Sequence, residues 1–146
     1  MSKVYGNSYY GAREAQDAMA VIAKWISGDH TMQTIFHDGD AVDADIFKRI
    51  IRIPKLACSN GLTDEALMLL RGRVYHEAGH IGESNLTKAE YPKQPLHQIW
   101  NAVEDCRMEK VIADKYAGAG PVFHAKMEYY NRKIANDASE VALGTK

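Results

Sequence analysis

The stretch TDEALMLLRGRVYHEAGHIG, residues 63–82, decides the fold because it predicts one long helix. Thr63 is a favourable N-cap, and two acidic residues follow it in the first turn, where the helix dipole favours negative charge. Gly82 is typical of the position after a last helical turn, so we expect the helix to end there. Residues four apart lie one above the other on a helix, so His76 and His80 project from the same face.

The two histidines belong to the sequence HEAGH, which has the HExxH spacing of zinc hydrolases. Imidazoles at this spacing can bind one ion, and Glu77 lies beside them, where it can reach a water without being a ligand. Gly79 is about 1 kcal/mol less favourable than alanine inside a helix, so we expect another element to pack closely there. The alternative is a helix that carries two histidines by chance, and the mechanism of the motif together with its predicted helical context favours the metal site.

Two histidines do not complete a zinc site, so a third ligand must come from elsewhere in the chain. The metzincin pattern would have glycine at position 83 and histidine at position 86, where this chain has Glu83 and Leu86. That class is therefore excluded. The other common source is a carboxylate on the next helix, and the segment WNAVEDCRME, residues 100–109, offers Glu104, Asp105 and Glu109.

Helical spacing separates these acids. Asn101, Asp105 and Glu109 are four residues apart and lie on one face, whereas Glu104 lies about 100° away from Asp105. A ligand carboxylate with polar neighbours one turn away suits a metal site, because the neighbours can orient a ligand histidine through its free N–H. We therefore expect Asp105 as the third ligand, with Glu109 and Asn101 in the orienting positions. Glu104 stays open as the alternative, because its longer side chain reaches further.

The rest of the chain predicts three more helices and two short strands. The first helix spans residues 9–28, with Asn7 or Ser8 as its cap and Gly28 at its end. A second spans residues 95–118 and starts at Pro95. The last runs from Pro121 to about Ser139. Trp100, Val103 and Cys106 indicate that the helix with the acids is largely buried. The strands are TIFH, residues 34–37, and FKRIIRI, residues 47–53, with Pro54 ending the second.

Four aspartates lie between the two strands: Asp38, Asp40, Asp43 and Asp45. An EF-hand loop would need a ligand-type residue at Val42 and a glycine at Asp43, so the calcium pattern fails and we expect a solvated acidic turn. The resulting fold class is α+β and mainly α, as one domain spanning residues 1–146 with a small β-sheet.

Composition narrows the function classes. The chain has 146 residues, 46% hydrophobic and 25% charged, with a net charge of −1 and a pI near 6.6, which gives no electrostatic signature for nucleic acid or an anionic membrane. No apolar run approaches the ~18 residues of a membrane span. Cys58 and Cys106 form no secreted-style disulfide framework, and the start, MSKVYGNSYY, lacks a signal-peptide core. We expect a cytoplasmic protein with both thiols reduced and Cys106 buried.

The segments YHEAGH and IWNAVEDCRMEK together resemble a group of predicted zinc metallopeptidase domains. These domains occur in cobaltochelatase CobT-like subunits and in bacterial and phage proteins associated with von Willebrand A domains. They pair HExxH with a downstream Asn-x-x-Glu-Asp-x-Arg-x-Glu helix, matched here by Asn101, Glu104, Asp105, Arg107 and Glu109. The resemblance covers roughly residues 46–112 and implies a minimal zincin-like domain that binds Zn²⁺. A von Willebrand A-type partner follows only by family analogy, since no such domain follows in this sequence.

The function we expect is that of a zinc-dependent hydrolase acting on a peptide or protein, with Glu77 as the general base. An extended substrate would add to the strand at residues 47–53, which we place at the cleft edge. Oxyanion stabilisers are proposed among Arg107, His124, Tyr129 and Tyr130, with Arg107 favoured. His97 and His124 are alternative ligands, but we expect each to be a surface or packing histidine. The rival functions are a non-catalytic zinc-binding interaction or regulatory module, and an interaction protein in which the metal is irrelevant.

Overall fold

A computed structural model describes residues 4–5, 9–56, 62–85 and 90–142. The elements in chain order are β1 (Val4–Tyr5), α1 (Tyr9–Ser27), β2 (Gln33–His37), β3 (Asp43–Asp45), β4 (Ile50–Pro54), β5 (Leu62–Thr63), α2 (Asp64–Glu83), α3 (Leu96–Lys115) and α4 (Ala119–Ala142). The predicted α+β, mainly α class is confirmed. The predicted caps Asn7 and Ser8, and the thiol of Cys58, lie outside the described residues. None of the helices in these ranges combines the length and apolar character that a bilayer-spanning segment needs.

The central helix α2 forms where the sequence predicts it. Its N-cap is Thr63, whose side-chain oxygen accepts a hydrogen bond from the backbone N–H of Ala66 at 3.1 Å. The end differs from the prediction, because α2 continues to Glu83 and Gly82 lies inside its last turn. A Cβ on Gly82 would lie 2.5 Å from the carbonyl oxygen of Ser27, so this glycine permits the close approach of α1.

Gly79, the glycine of the HEAGH segment, permits the approach of α3. A Cβ on Gly79 would clash with the sulfur of Met108 and press on Ile112. Met108 and Ile112 are fully buried in the core, together with Val74 and Ala78 of α2. The predicted packing reason for this glycine is therefore confirmed, and the contact holds α3 against the face of α2 next to the two histidines.

The sheet corrects two predictions made from the sequence. In the described chain the strand order is β2-β4-β3, with β2 parallel and β3 antiparallel to β4, so residues 50–54 form the central strand and not the cleft edge. Ile51 and Ile53 are fully buried, as suits a central strand. Part of the predicted acidic turn is strand β3, because Asp43 lies opposite Arg52 and accepts a hydrogen bond from its Nε at 2.6 Å. Pro54 ends β4, as predicted.

Helix α3 is less buried than its apolar residues indicate. Val103 is 65% exposed and Cys106 is also exposed, so the predictions of a largely buried helix and a buried thiol are wrong. The buried residues of α3 are Glu104, Met108 and Ile112, which are spaced four apart. The contact with Gly79 selects this face, and it turns Glu104 inward. Helix α3 begins at Leu96, with Pro95 as its N-cap, and α4 begins two residues before Pro121.

Candidate metal centre

Three potential ligand atoms converge between α2 and α3. The Nε2 atoms of His76 and His80 lie 3.2 Å apart, and Oδ1 of Asp105 lies 3.0 Å from Nε2 of His80 and 3.6 Å from Nε2 of His76. A tetrahedral zinc with ligand bonds of 2.0–2.1 Å holds its ligand atoms about 3.3 Å apart. The three distances bracket that value, so the triangle fits one face of a zinc coordination tetrahedron.

The orientation of His76 is set by Glu109. The Nδ1 atom of His76 lies 2.8 Å from Oε1 of Glu109, and a carboxylate can only accept, so Nδ1 carries the proton. Lys126 on α4 donates to the same oxygen at 2.5 Å. Burial raises the pKa of Glu109, but the hydrogen bonds from His76 and Lys126 outweigh it and leave that pKa below its usual value. An ionised Glu109 therefore leaves the lone pair of His76 on Nε2, facing Asp105.

His80 is oriented through Ser84. Nδ1 of His80 lies 3.0 Å from Oγ of Ser84, and that hydroxyl donates to Oε1 of Glu104 at 2.7 Å. Because the hydroxyl hydrogen is used toward Glu104, the serine oxygen accepts from His80, and Nδ1 again carries the proton. Burial, followed by the charge of His76, lowers the pKa of His80 and favours the neutral imidazole that binds metals.

These tautomers give a direct test of whether a metal fits. With Nδ1 protonated on both rings, the two Nε2 atoms present lone pairs to each other and to a carboxylate oxygen of Asp105. A cation shared by the three atoms would compensate acceptors that lie only 3.0–3.6 Å apart. The ligand set of two imidazoles and one carboxylate is one that zinc prefers. The site fits Zn²⁺.

The two acids left open by the sequence occupy different positions. Glu104 is 8% exposed, and both Nε and Nη2 of Arg107 lie 2.7 Å from its carboxylate. Arg107 is the largest cause of the lowered pKa of Glu104. Asp105 faces the histidines, whereas Glu104 reaches His80 only through Ser84. Helical spacing predicted that Asp105 faces the ligand histidines and that Glu109 orients one of them, and the two side chains lie in these positions.

Several other predicted site residues lie elsewhere. Arg107 bonds Glu104 and the carbonyl of Glu83 at 2.8 Å, so its guanidinium neutralises a structural acid and does not face Glu77. His124 is exposed near Glu128, and Tyr129 lines a cavity with Glu65 at the far end of α4. Each side chain therefore lies outside the metal-ligand cluster.

Asn101 and His97, which the sequence suggested for the site, lie beside Asp105 on the wall of a cavity that also contains His76 and His80. Asn101 lies 3.5 Å from His97, and both line the wall without joining the ligand cluster among the described residues. Tyr91, which sequence reasoning missed, packs against His97 and Trp100.

Glu77 lies between two cavities. The first, about 510 Å³, contains the ligand residues and is also lined by residues 44–47 and Tyr91. The second, about 470 Å³, is lined by residues 40–42, Arg73, Lys126 and Tyr130. His76 and Glu77 line both, and burial is the largest cause of a raised pKa for Glu77. A reacting group at Glu77 would have space on either side.

Amide substitutions should rank the three acids by their distance from the metal. We expect Asp105→Asn to weaken zinc binding by more than about 100-fold, and Glu109→Gln and Glu104→Gln by about 10- to 100-fold, the range for groups that orient a ligand. Competition with a graded chelator measures each affinity. Asp114→Asn, on the exposed side of α3, is the control and should retain the parent affinity. A larger loss in Glu104→Gln than in Asp105→Asn would make Glu104 the ligand.

Comparison with protein-family models, with curated proteins and with solved structures gives no match for this chain. The resemblance to zinc metallopeptidase domains of the CobT-like and von Willebrand A-associated kind therefore stays a prediction from the two segments that carry it. The geometry of His76, Glu77, His80 and Asp105 is the basis on which a function can be proposed.

Proposed function

We propose that the protein is a zinc-dependent hydrolase of the zincin-like kind, and that its substrates are peptides or proteins. One observation carries the proposal: Nε2 of His76, Nε2 of His80 and Oδ1 of Asp105 lie 3.0–3.6 Å apart, with the lone pairs of the rings turned toward one another. Glu77 follows His76 directly on the same helix and lines the same cavity.

The number of ligands favours catalysis over a structural metal. Structural zinc has four protein ligands, whereas catalytic zinc has three and an open position. The cluster found in the described residues has three members, His76, His80 and Asp105. Glu77 adds a carboxylate that a purely structural site would not need. The non-catalytic zinc-binding module is therefore the second choice.

The chemistry divides between the metal and Glu77. When bound, Zn²⁺ supplies a Lewis acid that lowers the pKa of water and polarises a carbonyl. Glu77 accepts a proton from the attacking water at its carboxylate and delivers it to the leaving amine. Glu109 and Ser84 hold the two imidazoles in the tautomer that leaves Nε2 unprotonated. The partly enclosed cavities on both sides of Glu77 give the substrate access to this carboxylate.

Tyr130 is the residue we propose for stabilising the oxyanion. It lines the cavity that contains His76 and Glu77, and its phenol oxygen accepts a hydrogen bond from Nε of Arg73 at 2.8 Å. This contact does not use the hydroxyl hydrogen of Tyr130, which can therefore be donated toward the cavity. Of the predicted residues Arg107, His124, Tyr129 and Tyr130, this one lies on the wall shared with Glu77, and it replaces Arg107 in the role.

Strand β3 is the element we propose for substrate pairing. It is an edge of the described sheet, runs antiparallel to β4, and contacts α2. Ala44 and Asp45, with the following Ile46 and Phe47, line the cavity of the metal ligands. An extended peptide can add to such an edge through backbone hydrogen bonds. The sequence predicted that the substrate adds to residues 47–53, but β4 is central, so we propose β3 instead.

The setting we propose is the cytoplasm, with a peptide or protein as the partner in catalysis. The two cysteines of the sequence form no framework typical of secreted domains, and the net charge of −1 suits neither nucleic acid nor anionic membranes. A von Willebrand A-type partner remains a prediction from the resemblance alone.

Metal content and hydrolysis together test the proposed function. We expect about one zinc per chain after mild purification, because three ligands and an open position form a catalytic site. Hydrolysis of a mixed peptide library, followed by mass spectrometry, should stop after chelation with 1,10-phenanthroline and return when zinc is restored. Cleavage that continues in the metal-free protein would contradict the proposal, as would the absence of cleavage by the fully zinc-loaded protein.

A further inference from the structure

Arg73, like Arg71, pairs with no carboxylate among the described residues. Most of the others pair with a carboxylate: Arg49 with Asp29, Arg52 with Asp43, Arg107 with Glu104 and Arg132 with Glu65. Arg73 has no acidic side chain within 4 Å among the described residues. Its recorded hydrogen bonds run from Nε to the Tyr130 hydroxyl at 2.8 Å and from Nη1 to the backbone oxygen of Asp40 at 3.3 Å.

The guanidinium of Arg73 lines the 470 Å³ cavity beside Glu77. A partly buried cation without a counter-charge is unfavourable, and an anion entering the cavity would compensate it. Lys126 lines the same wall and adds a second positive charge, although its amine already donates to Glu109. The opposing groups are Asp40 at the exposed mouth, whose carboxylate forms no ion pair with a described lysine or arginine, and Glu77, whose pKa burial raises.

The cavity is placed where a substrate would reach it. His76 and Glu77 line this cavity and the cavity of the metal ligands, so a peptide reacting at Glu77 would place a neighbouring group against Arg73. The cavity of the metal ligands has a different character, since Phe47, Tyr91 and His97 contribute ring faces there. The two sides of the reacting bond therefore meet chemically different walls.

We propose that the cavity lined by Arg73, Lys126 and Tyr130 is a subsite for a carboxylate of the substrate. Nη2 of Arg73 has no partner among the described residues, so its N–H groups can be donated to a carboxylate beside the remaining N–H of Nη1. The carboxylate belongs either to an acidic side chain next to the scissile bond or to the C-terminus of a short peptide. This inference rests on the proposed function and adds the substrate class to it.

Peptide binding tests the subsite without requiring turnover. The full chain carrying Glu77→Gln is prepared with and without zinc and titrated with three pools of fluorescein-labelled random hexapeptides that otherwise lack acidic residues. One pool has an internal glutamate and a C-terminal amide, the second a glutamine and an amide, and the third a glutamine and a free C-terminus. Fluorescence anisotropy measures the affinities. We expect at least one carboxylate pool to bind about 10- to 100-fold more tightly than the neutral pool, and that pool identifies the source of the carboxylate.

Arginine variants then assign the preference. Arg73→Gln should abolish it, and Arg132→Gln, which removes an exposed arginine far from the cavity, should keep it. If Arg73→Gln does not fold by circular dichroism, Arg73→Lys is used, which keeps the charge, lacks the fork and should lose most of the preference. An absent preference in the parent, or one undiminished in the folded Arg73 variant, overturns the subsite.

The zinc and hydrolysis measurements on the unmodified chain keep the two proposals separate. Zinc-dependent cleavage without any carboxylate preference refutes the subsite alone. A preference that depends on Arg73, in a chain that neither binds zinc nor cleaves peptides, refutes the peptidase and supports the subsite.

Discussion

Glu77→Gln is expected to abolish peptide hydrolysis while zinc content and fold stay unchanged. Glutamine keeps the shape of the side chain, but its amide cannot accept the proton that an attacking water must lose. Removal of a positioned general base typically lowers the rate by about 100- to 10,000-fold. Because Glu77 is absent from the cluster of His76, His80 and Asp105, its replacement leaves the three ligand atoms in place. Product formation from a peptide library and zinc per chain are measured on the same preparation.

The matched control for this variant is Glu65→Gln on the same helix. Glu65 is exposed in the first turn of α2, near Arg132, and far from the histidines. It should retain the activity of the parent protein and lose at most about 1 kcal/mol of helix stability. If Glu77→Gln cleaves peptides as fast as Glu65→Gln, Glu77 is not the base and the mechanism must use another group.

Part of the candidate metal centre was predictable because it depends on local geometry. An α-helix fixes the relative direction of residues four apart, so the sequence placed His76 beside His80 and Asp105 beside Glu109 without any tertiary information. The Thr63 cap also fixed the start of α2. Within-helix spacing therefore carried most of what the sequence could say about the metal centre.

The surroundings of the ligands depend on packing between distant segments, which spacing does not encode. Apolar residues such as Val103 predicted a buried face of α3, yet the contact of Met108 with Gly79 turns a different face inward and buries Glu104. A buried acid then requires Arg107 as its partner, so Arg107 is not available for catalysis. The order β2-β4-β3 is likewise a tertiary property, and it moved the open edge from β4 to β3.

The groups that orient the histidines show the same division. Ser84 follows the last residue of α2 and contacts His80, four residues before it, but the predicted helix ended at Gly82, so the sequence did not indicate this contact. Lys126 is 50 residues from His76 and reaches Glu109 from α4, and no sequence pattern links the two helices. Of the groups that orient the histidines, Glu109 was predicted from its spacing to Asp105, whereas Ser84 and Lys126 were found only in the fold.

His80→Ala is expected to remove the metal from the protein. The substitution deletes one of the three converging ligand atoms, so zinc affinity should fall by more than the ~10- to 100-fold typical of orienting groups. The fold should persist, because Glu104 keeps Arg107 as its partner and α2 keeps its cap at Thr63. Zinc per chain after dialysis against a graded chelator measures the loss, and circular dichroism verifies the helices.

The matched control is His124→Ala, which deletes an imidazole that is exposed on α4 and lies outside the ligand cluster. Its zinc content should equal that of the parent, because neither Glu109 nor the three ligand atoms contact it among the described residues. Loss of zinc in His80→Ala together with retention in His124→Ala would tie the metal to the HEAGH helix. Equal zinc content in His80→Ala and the parent would instead place the bound metal elsewhere and remove the basis for Glu77 as a base.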